Sequence, residues 1–141
     1  NIDDFYPILC NNKKMHGSSP THTQEELKKL IEIMPDSFSL LITYHNNIPI
    51  GGTFNFIANK RVAIIFYNMI DYNYVKYNHA SYQLYKTIEW GQSMNFNFLD
   101  FGVSQLPNSK NPLTPHFSLI KFKEQFGSNG MLRIALSKDI N

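Results

Sequence analysis

The sequence predicts an α/β fold of the α+β kind: a mixed, twisted sheet made of an antiparallel meander and a β-α-β unit, with helices on both faces. Three observations lead there. Residues 38 to 70 form three consecutive apolar, β-branched runs broken only by short turns that contain Asn. Two segments with helical periodicity come before them, and strand and helix patterns alternate after them. A meander pairs its strands antiparallel, whereas an intervening helix sets the next strand parallel.

Residues 3–16 carry Phe5, Ile8 and Leu9 at helical spacing, and Gly17-Ser18-Ser19-Pro20 ends that helix. Thr23 and Glu26 make a capping box ahead of the next one. Leu27, Leu30, Ile31 and Met34 mark its apolar face, and Pro35 closes it. Strands are expected at 38–45, 48–58 and 61–70. Asn46-Asn47 and Asn59-Lys60 supply the turns, because Asn tolerates left-handed backbone. Gly51-Gly52 inside a strand marks a bulge or a close backbone approach. A helix over 80–94 follows, with Leu84, Tyr85, Ile88 and Gly91 along one side. A short strand over 97–101 runs into Gly102, a helix covers 117–126, and a last strand covers 131–137. The expected core is Leu41, Phe56, Ile65, Leu84, Ile88, Leu99, Phe122 and Phe126. No repeat divides the chain, so residues 1–141 read as one domain.

Composition narrows the function. The 141 residues are 43% hydrophobic and 14% aromatic, which suits one compact domain and excludes disorder. A net charge of +2 spread over scattered Lys and Arg lacks the footprint of a duplex-binding protein. Cys10 is the only cysteine, so no internal disulfide forms, and a reducing, cytoplasmic setting is expected. No apolar run approaches the ~18 residues of a membrane helix. The five histidines (His16, His22, His45, His79 and His116) have no ligand spacing, so no metal site is expected. The sixteen Asn residues form no long tract and read as a compositional bias.

Ligands of open α/β sheets settle beyond the carboxyl ends of the strands. Asp100 falls there, beside Gly102 and Ser104. It reads as a carboxylate orienting an amine or a hydroxyl, or as a turn residue capping its own loop. His116 reads as a proton shuttle or as a helix-start residue. Tyr67 belongs to a run of central tyrosines that either line a ligand cleft or pack on the sheet. Lys121 and Lys123 project roughly 200° apart on their helix. If Phe122 and Phe126 face the sheet, Lys123 lies at the buried boundary, where its ammonium could attract a phosphate or snorkel to water. The segment 71–81 could offer free N–H groups to a phosphate at a helix start, yet it holds no glycine.

The stretch Asp100-Phe101-Gly102-Val103-Ser104, followed by Phe122-Lys123-Glu124-Gln125-Phe126-Gly127, resembles the end of FemAB-like proteins. Ile50-Gly51-Gly52-Thr53-Phe54 and Met15-His16-Gly17 with Pro20 also look like that family. FemAB-like proteins are GNAT-superfamily transferases, some of which pass amino acids from aminoacyl-tRNA to peptidoglycan precursors. The resemblance implies a GNAT-like domain, the C-terminal half of a longer two-half protein with a missing N-terminal GNAT half. It implies transfer from aminoacyl-tRNA or acyl-CoA to an amine on a peptidoglycan precursor or small molecule. Lys123 would steady the donor, Asp100 would orient the acceptor, and Gly102, Ser104, His116 and Tyr67 would contribute to binding. Two alternatives stand beside it: an acetyl-CoA-dependent N-acetyltransferase, and a non-catalytic GNAT-like packing domain. The Q/R-x-x-G-x-G/A pyrophosphate loop of ordinary GNAT acetyltransferases is missing, since Tyr72 to Ala80 holds no glycine. Weak acetyl-CoA binding and an aminoacyl-type donor are therefore expected.

Overall fold

The chain begins with a helix whose first turn is closed by its own sequence. Asn1 Oδ1 accepts from Asp3 N at 3.0 Å, and Asp3-Asp4 and Lys13-Lys14 complement the dipole at the two ends of α1 (Ile2–Met15). The expected capping box starts α2 (Gln24–Ile33): Thr23 Oγ1 accepts from Glu26 N, and Glu26 Oε2 from Thr23 N at 2.7 Å. The computed structural model describes residues 1–106, 109–111, 113–131 and 137–138. It divides into two compact units, Asn1–Gly102 and Val103–Asn141.

In the first unit the meander forms as expected. β1 (Phe38–His45), β2 (Ile48–Asn59) and β3 (Val62–Ile70) pair antiparallel in order, and Asn46 and Asn47 both take positive φ in the hairpin turn between β1 and β2. The chain then crosses through α3 (His79–Ser93) to β4 (Phe98–Asp100), which lies parallel to β3 and completes the order β1-β2-β3-β4. The sheet is thus mixed, with the β-α-β unit at one edge.

The two faces of the sheet are covered differently. On one, α1 and α2 bury Phe5, Leu9 and Leu27 against Phe54 and Tyr67. The Phe54 ring stacks on Phe38 at 5.4 Å and on Phe5 at 6.4 Å. On the other, α3 meets the sheet through polar side chains. Asn55 Nδ2 donates to Thr53 Oγ1 at 3.3 Å, and Thr87 Oγ1 donates to Gln83 O at 2.8 Å. Since Thr87 has only one hydroxyl proton, the 2.8 Å contact between the two threonines is donated by Thr53.

This division corrects the expected core. Ile65 and Leu84 are buried, but Leu41, Phe56, Ile88, Leu99, Phe122 and Phe126 are only half-buried. Phe54 rather than Phe56 lies beneath the first two helices, and Leu99 sits on the short edge strand. In the second unit α4 (Phe117–Glu124) ends two residues earlier than expected, and Phe122 and Phe126 pack edge-to-face at 5.6 Å. The strand expected at 131–137 lies, but for its two end residues, outside the described residues.

Candidate functional site

β3 and β4 part company early. They pair only over residues 62–64 with Phe98–Asp100, while β3 runs on to Ile70. On its other side β3 carries a bulge: Phe54 pairs with Tyr67 and Asn55 with Ile65, so Phe66 is an extra residue. A bulged residue falls outside the regular ladder and turns its side chain. Phe66 and Tyr67 accordingly stand together, their rings 4.7 Å apart and edge-to-face. The backbone of a splayed, bulged strand is the kind of surface that can offer N–H groups to a carbonyl oxygen.

Residues from the loop between α1 and α2 gather over that bulge. The Tyr67 ring is buried and its hydroxyl lies 2.8 Å from Thr21 Oγ1. The Lys13 ammonium sits 5.5 Å from the centre of the same ring. The His22 ring is 6.1 Å from Phe66, and the Tyr6 hydroxyl donates to His22 O at 3.1 Å. Burial raises the Tyr6 pKa, as do Cys10 and Tyr67 beside it. Of these residues the sequence singled out Tyr67 alone. The signal for the others was the position of Thr21-His22 directly before the capping box, which fixes the loop's exit.

The start of α3 forms a second focus. Asp71 Oδ1 accepts from Asn73 N at 3.0 Å and opens a 3₁₀ turn over Tyr72–Tyr77, and Asn78 takes the left-handed conformation that leads into the helix. No side chain caps α3, and Ser81 N and Tyr82 N both donate to Asn78 O at its start. His79, the first residue of α3, is 2% exposed, and neither ring nitrogen has a hydrogen-bond partner among the described residues. Burial pushes its pKa below the usual value, against the pull of the Ile50 backbone and Asp71. One turn on, Gln83 Nε2 donates to Asn68 Oδ1 at 2.7 Å and Met69 O at 3.1 Å.

The residues expected at the site divide between the units. In the first, Asp100 Oδ1 accepts from Gly102 N at 2.7 Å, so this carboxylate shapes the turn after β4. Gly102 takes a φ of 72° there. In the second, Lys123 Nζ donates to Val103 O at 3.0 Å and to Ser104 Oγ at 2.8 Å. Two sequence-predicted residues, Lys123 and Ser104, are thereby brought together. His116 caps α4, with Nδ1 accepting from Leu119 N at 3.4 Å. Among the described residues no three His, Cys, Asp or Glu side chains gather as a metal ion would require.

This architecture is the one found in GNAT acetyltransferases. The ribosomal-protein-alanine N-acetyltransferase of Brucella melitensis biovar Abortus 2308 superposes with a TM-score of 0.66 at 8% identity, over 98% of this chain and 93% of that one. A Trypanosoma brucei acetyltransferase gives 0.61 at 14% identity, over 99% and 95% of the two chains. A GNAT family acetyltransferase from Elizabethkingia anophelis, solved with acetyl-CoA bound, gives 0.54 at 16% identity over 70% and 59%. Likeness at such identities is likeness of fold. No model of a protein family matches the sequence, and no curated protein does. The class is therefore that of the GNAT acetyltransferase fold.

Proposed function

We propose that this chain moves an acyl group from an acyl-CoA thioester to a primary amine. The observation that carries the reading is the early parting of β3 and β4 beside the Phe66 bulge, in a fold shared with acetyltransferases. Such a reaction needs little covalent help. The amine attacks the thioester carbonyl to give a tetrahedral oxyanion, the C–S bond then breaks, and the proton lost by the nitrogen goes to the departing thiolate. The protein positions the two reactants and steadies the oxyanion. Backbone N–H groups along residues 65–68 would serve the oxyanion, and the uncapped start of α3 would face the donor's phosphates. The absence of a glycine-rich loop leaves the pyrophosphate loosely held, so acetyl-CoA should bind more weakly than about 10 µM. Calorimetry with acetyl-CoA and a thiol-release assay over a panel of amines test this. Thiol release that depends on an amine supports it, and none with any acyl-CoA overturns it.

One observation favours a second reading. The 3₁₀ turn over Tyr72–Tyr77 stands where an acetyl-CoA pyrophosphate loop is expected. A donor without that pyrophosphate, such as aminoacyl-tRNA, avoids the conflict and accords with the FemAB-like motifs. In that form a preceding GNAT-like half completes the protein, Asp100 orients the acceptor amine and Lys123 steadies the donor. Amino-acid transfer from charged tRNA by the longer protein, with acetyl-CoA inert, would select it.

A further inference from the structure

We propose that a cavity between α1 and the end of β3 binds a small zwitterion, a free aliphatic α-amino acid, holding its ammonium at Asp71 and its carboxylate at Lys14. The cavity measures about 550 Å³, within the roughly 300–1,000 Å³ of small-molecule sites. Ile8, Met15 and Ile70 give it an apolar wall. Asn12, 8% exposed, is fixed in its lining by a 3.2 Å hydrogen bond from Nδ2 to Ile70 O. At the rim, His16 Nε2 and Tyr72 Oη lie 2.9 Å apart and tie the end of α1 to the 3₁₀ turn.

The charges identify the ligand. Lys14 and Asp71 both line this cavity, yet they are not paired with each other. Among the described residues neither forms an ion pair with any other group. Asp71 uses Oδ1 to cap the turn through Asn73 N. Two opposite charges left apart in one small cleft are complementary to a molecule carrying both. Each contact would be a charge-assisted hydrogen bond, stronger than a neutral one. The apolar wall then selects an aliphatic side chain over a polar one.

The site does not depend on acyl transfer, and its test uses no donor. Calorimetric titration of the full chain compares L-leucine with leucinamide, which lacks the carboxylate, and with 4-methylpentanoate, which lacks the ammonium. Leucine should bind, and each analogue should bind about tenfold or more weakly, as loss of one charged contact implies. Lys14→Met should abolish the preference for leucine over leucinamide. Asp71→Asn should abolish the preference over 4-methylpentanoate, and Asn at that position still accepts from Asn73 N, so the turn is kept. No binding of leucine at millimolar concentration overturns the proposal. So does equal binding of the three compounds, or discrimination that survives in both variants. The analogues act on the unaltered protein, so the test holds even if a variant fails to fold.

Discussion

Gly52→Ala asks how closely β1, β2 and α1 are fitted together. Gly52 is buried in the middle of β2, opposite Ile42 of β1. A methyl group there would stand 2.6 Å from Leu41 O, 3.1 Å from Phe5 Cδ2 and 3.4 Å from Ile42 Cα. The first contact is with backbone of the neighbouring strand, and the second with a ring that is 0% exposed and held by Phe54. Neither can swing aside. β1 must therefore shift away from β2, or α1 must lift from the sheet. Overpacking of this kind costs about 1–3 kcal/mol, and with backbone on one side the upper part of that range applies. For a chain of this size, that corresponds to a melting temperature lowered by roughly 5–10 °C. Gly91→Ala is the matched control. Gly91 lies within α3, and a Cβ there meets nothing within 4 Å. Ala should stabilise the helix by about 0.5–1 kcal/mol through its lower backbone entropy. Urea unfolding at unchanged m-value and thermal melts read both variants. A Gly52→Ala protein within about 0.5 kcal/mol of the parent, or a Gly91→Ala protein equally destabilised, would refute the packing argument.

Three further perturbations follow from the same structure. His79 has a lowered pKa because burial disfavours its charged form, so the unfolded chain binds a proton near its ordinary value of 6.5 while the folded one does not. Stability should therefore be full above that value and fall as pH drops below it. His79→Gln should flatten the slope in denaturation series from pH 7.5 to 4.5, and an unchanged slope would move its origin elsewhere. Thr87→Val keeps the shape of the side chain but leaves the buried Thr53 Oγ1–H without its acceptor, while Gln83 O keeps the helical N–H of residue 87, at a cost of about 1–3 kcal/mol in urea unfolding. Lys123→Met removes the two contacts that hold residues 103–104, and amide exchange there should quicken about fivefold, for roughly 1 kcal/mol lost. If exchange is unaltered while transfer activity falls tenfold, the ammonium acts on the donor instead.

The elements most legible in the sequence were those with local causes. The capping box at Thr23 and Glu26, the Asn46-Asn47 turn and the three strands depend on neighbours a few residues apart. Asp100 and His116 were also legible in their local sense, as a turn residue and a helix-start residue. The core was less so. Alternation shows that β2 has two faces but not which residue sits under α1, because the crossing of two helices over the sheet decides between Phe54 and Phe56. The bulge at Phe66 was hidden for a related reason. It needs no glycine and no turn residue, only a one-residue offset against β2, which neither strand reveals alone. The loop residues over it, Thr21 and His22, come within reach only after that offset brings Phe66 beside Tyr67.

The unequal covering of the two faces bears on how such a site could work. The α1 and α2 face is closed by aromatic and aliphatic side chains, whose contact area resists sliding. The α3 face rests on directed hydrogen bonds among Thr53, Asn55, Gln83 and Thr87, all of them buried. Around them the Asn55 Oδ1, Gln83 Oε1 and both His79 ring nitrogens lack partners among the described residues. An incompletely satisfied polar seam holds a helix in register but gains energy from any arrangement that completes it. The unmatched atoms are places where a ligand or a rearranged α3 would add a bond, and the first turn of α3 carries no side-chain cap. The face under α1 and α2 carries the buried Tyr67 beside the bulge, where, on the proposed function, geometry would govern the reacting carbonyl. On the proposed function, the seam carries the end that would admit and release a large anionic donor. For an acyl-CoA donor, the pattern Thr53-x-Asn55 on β2 with Gln83 and Thr87 on α3 would thus place donor entry on the α3 side of the sheet.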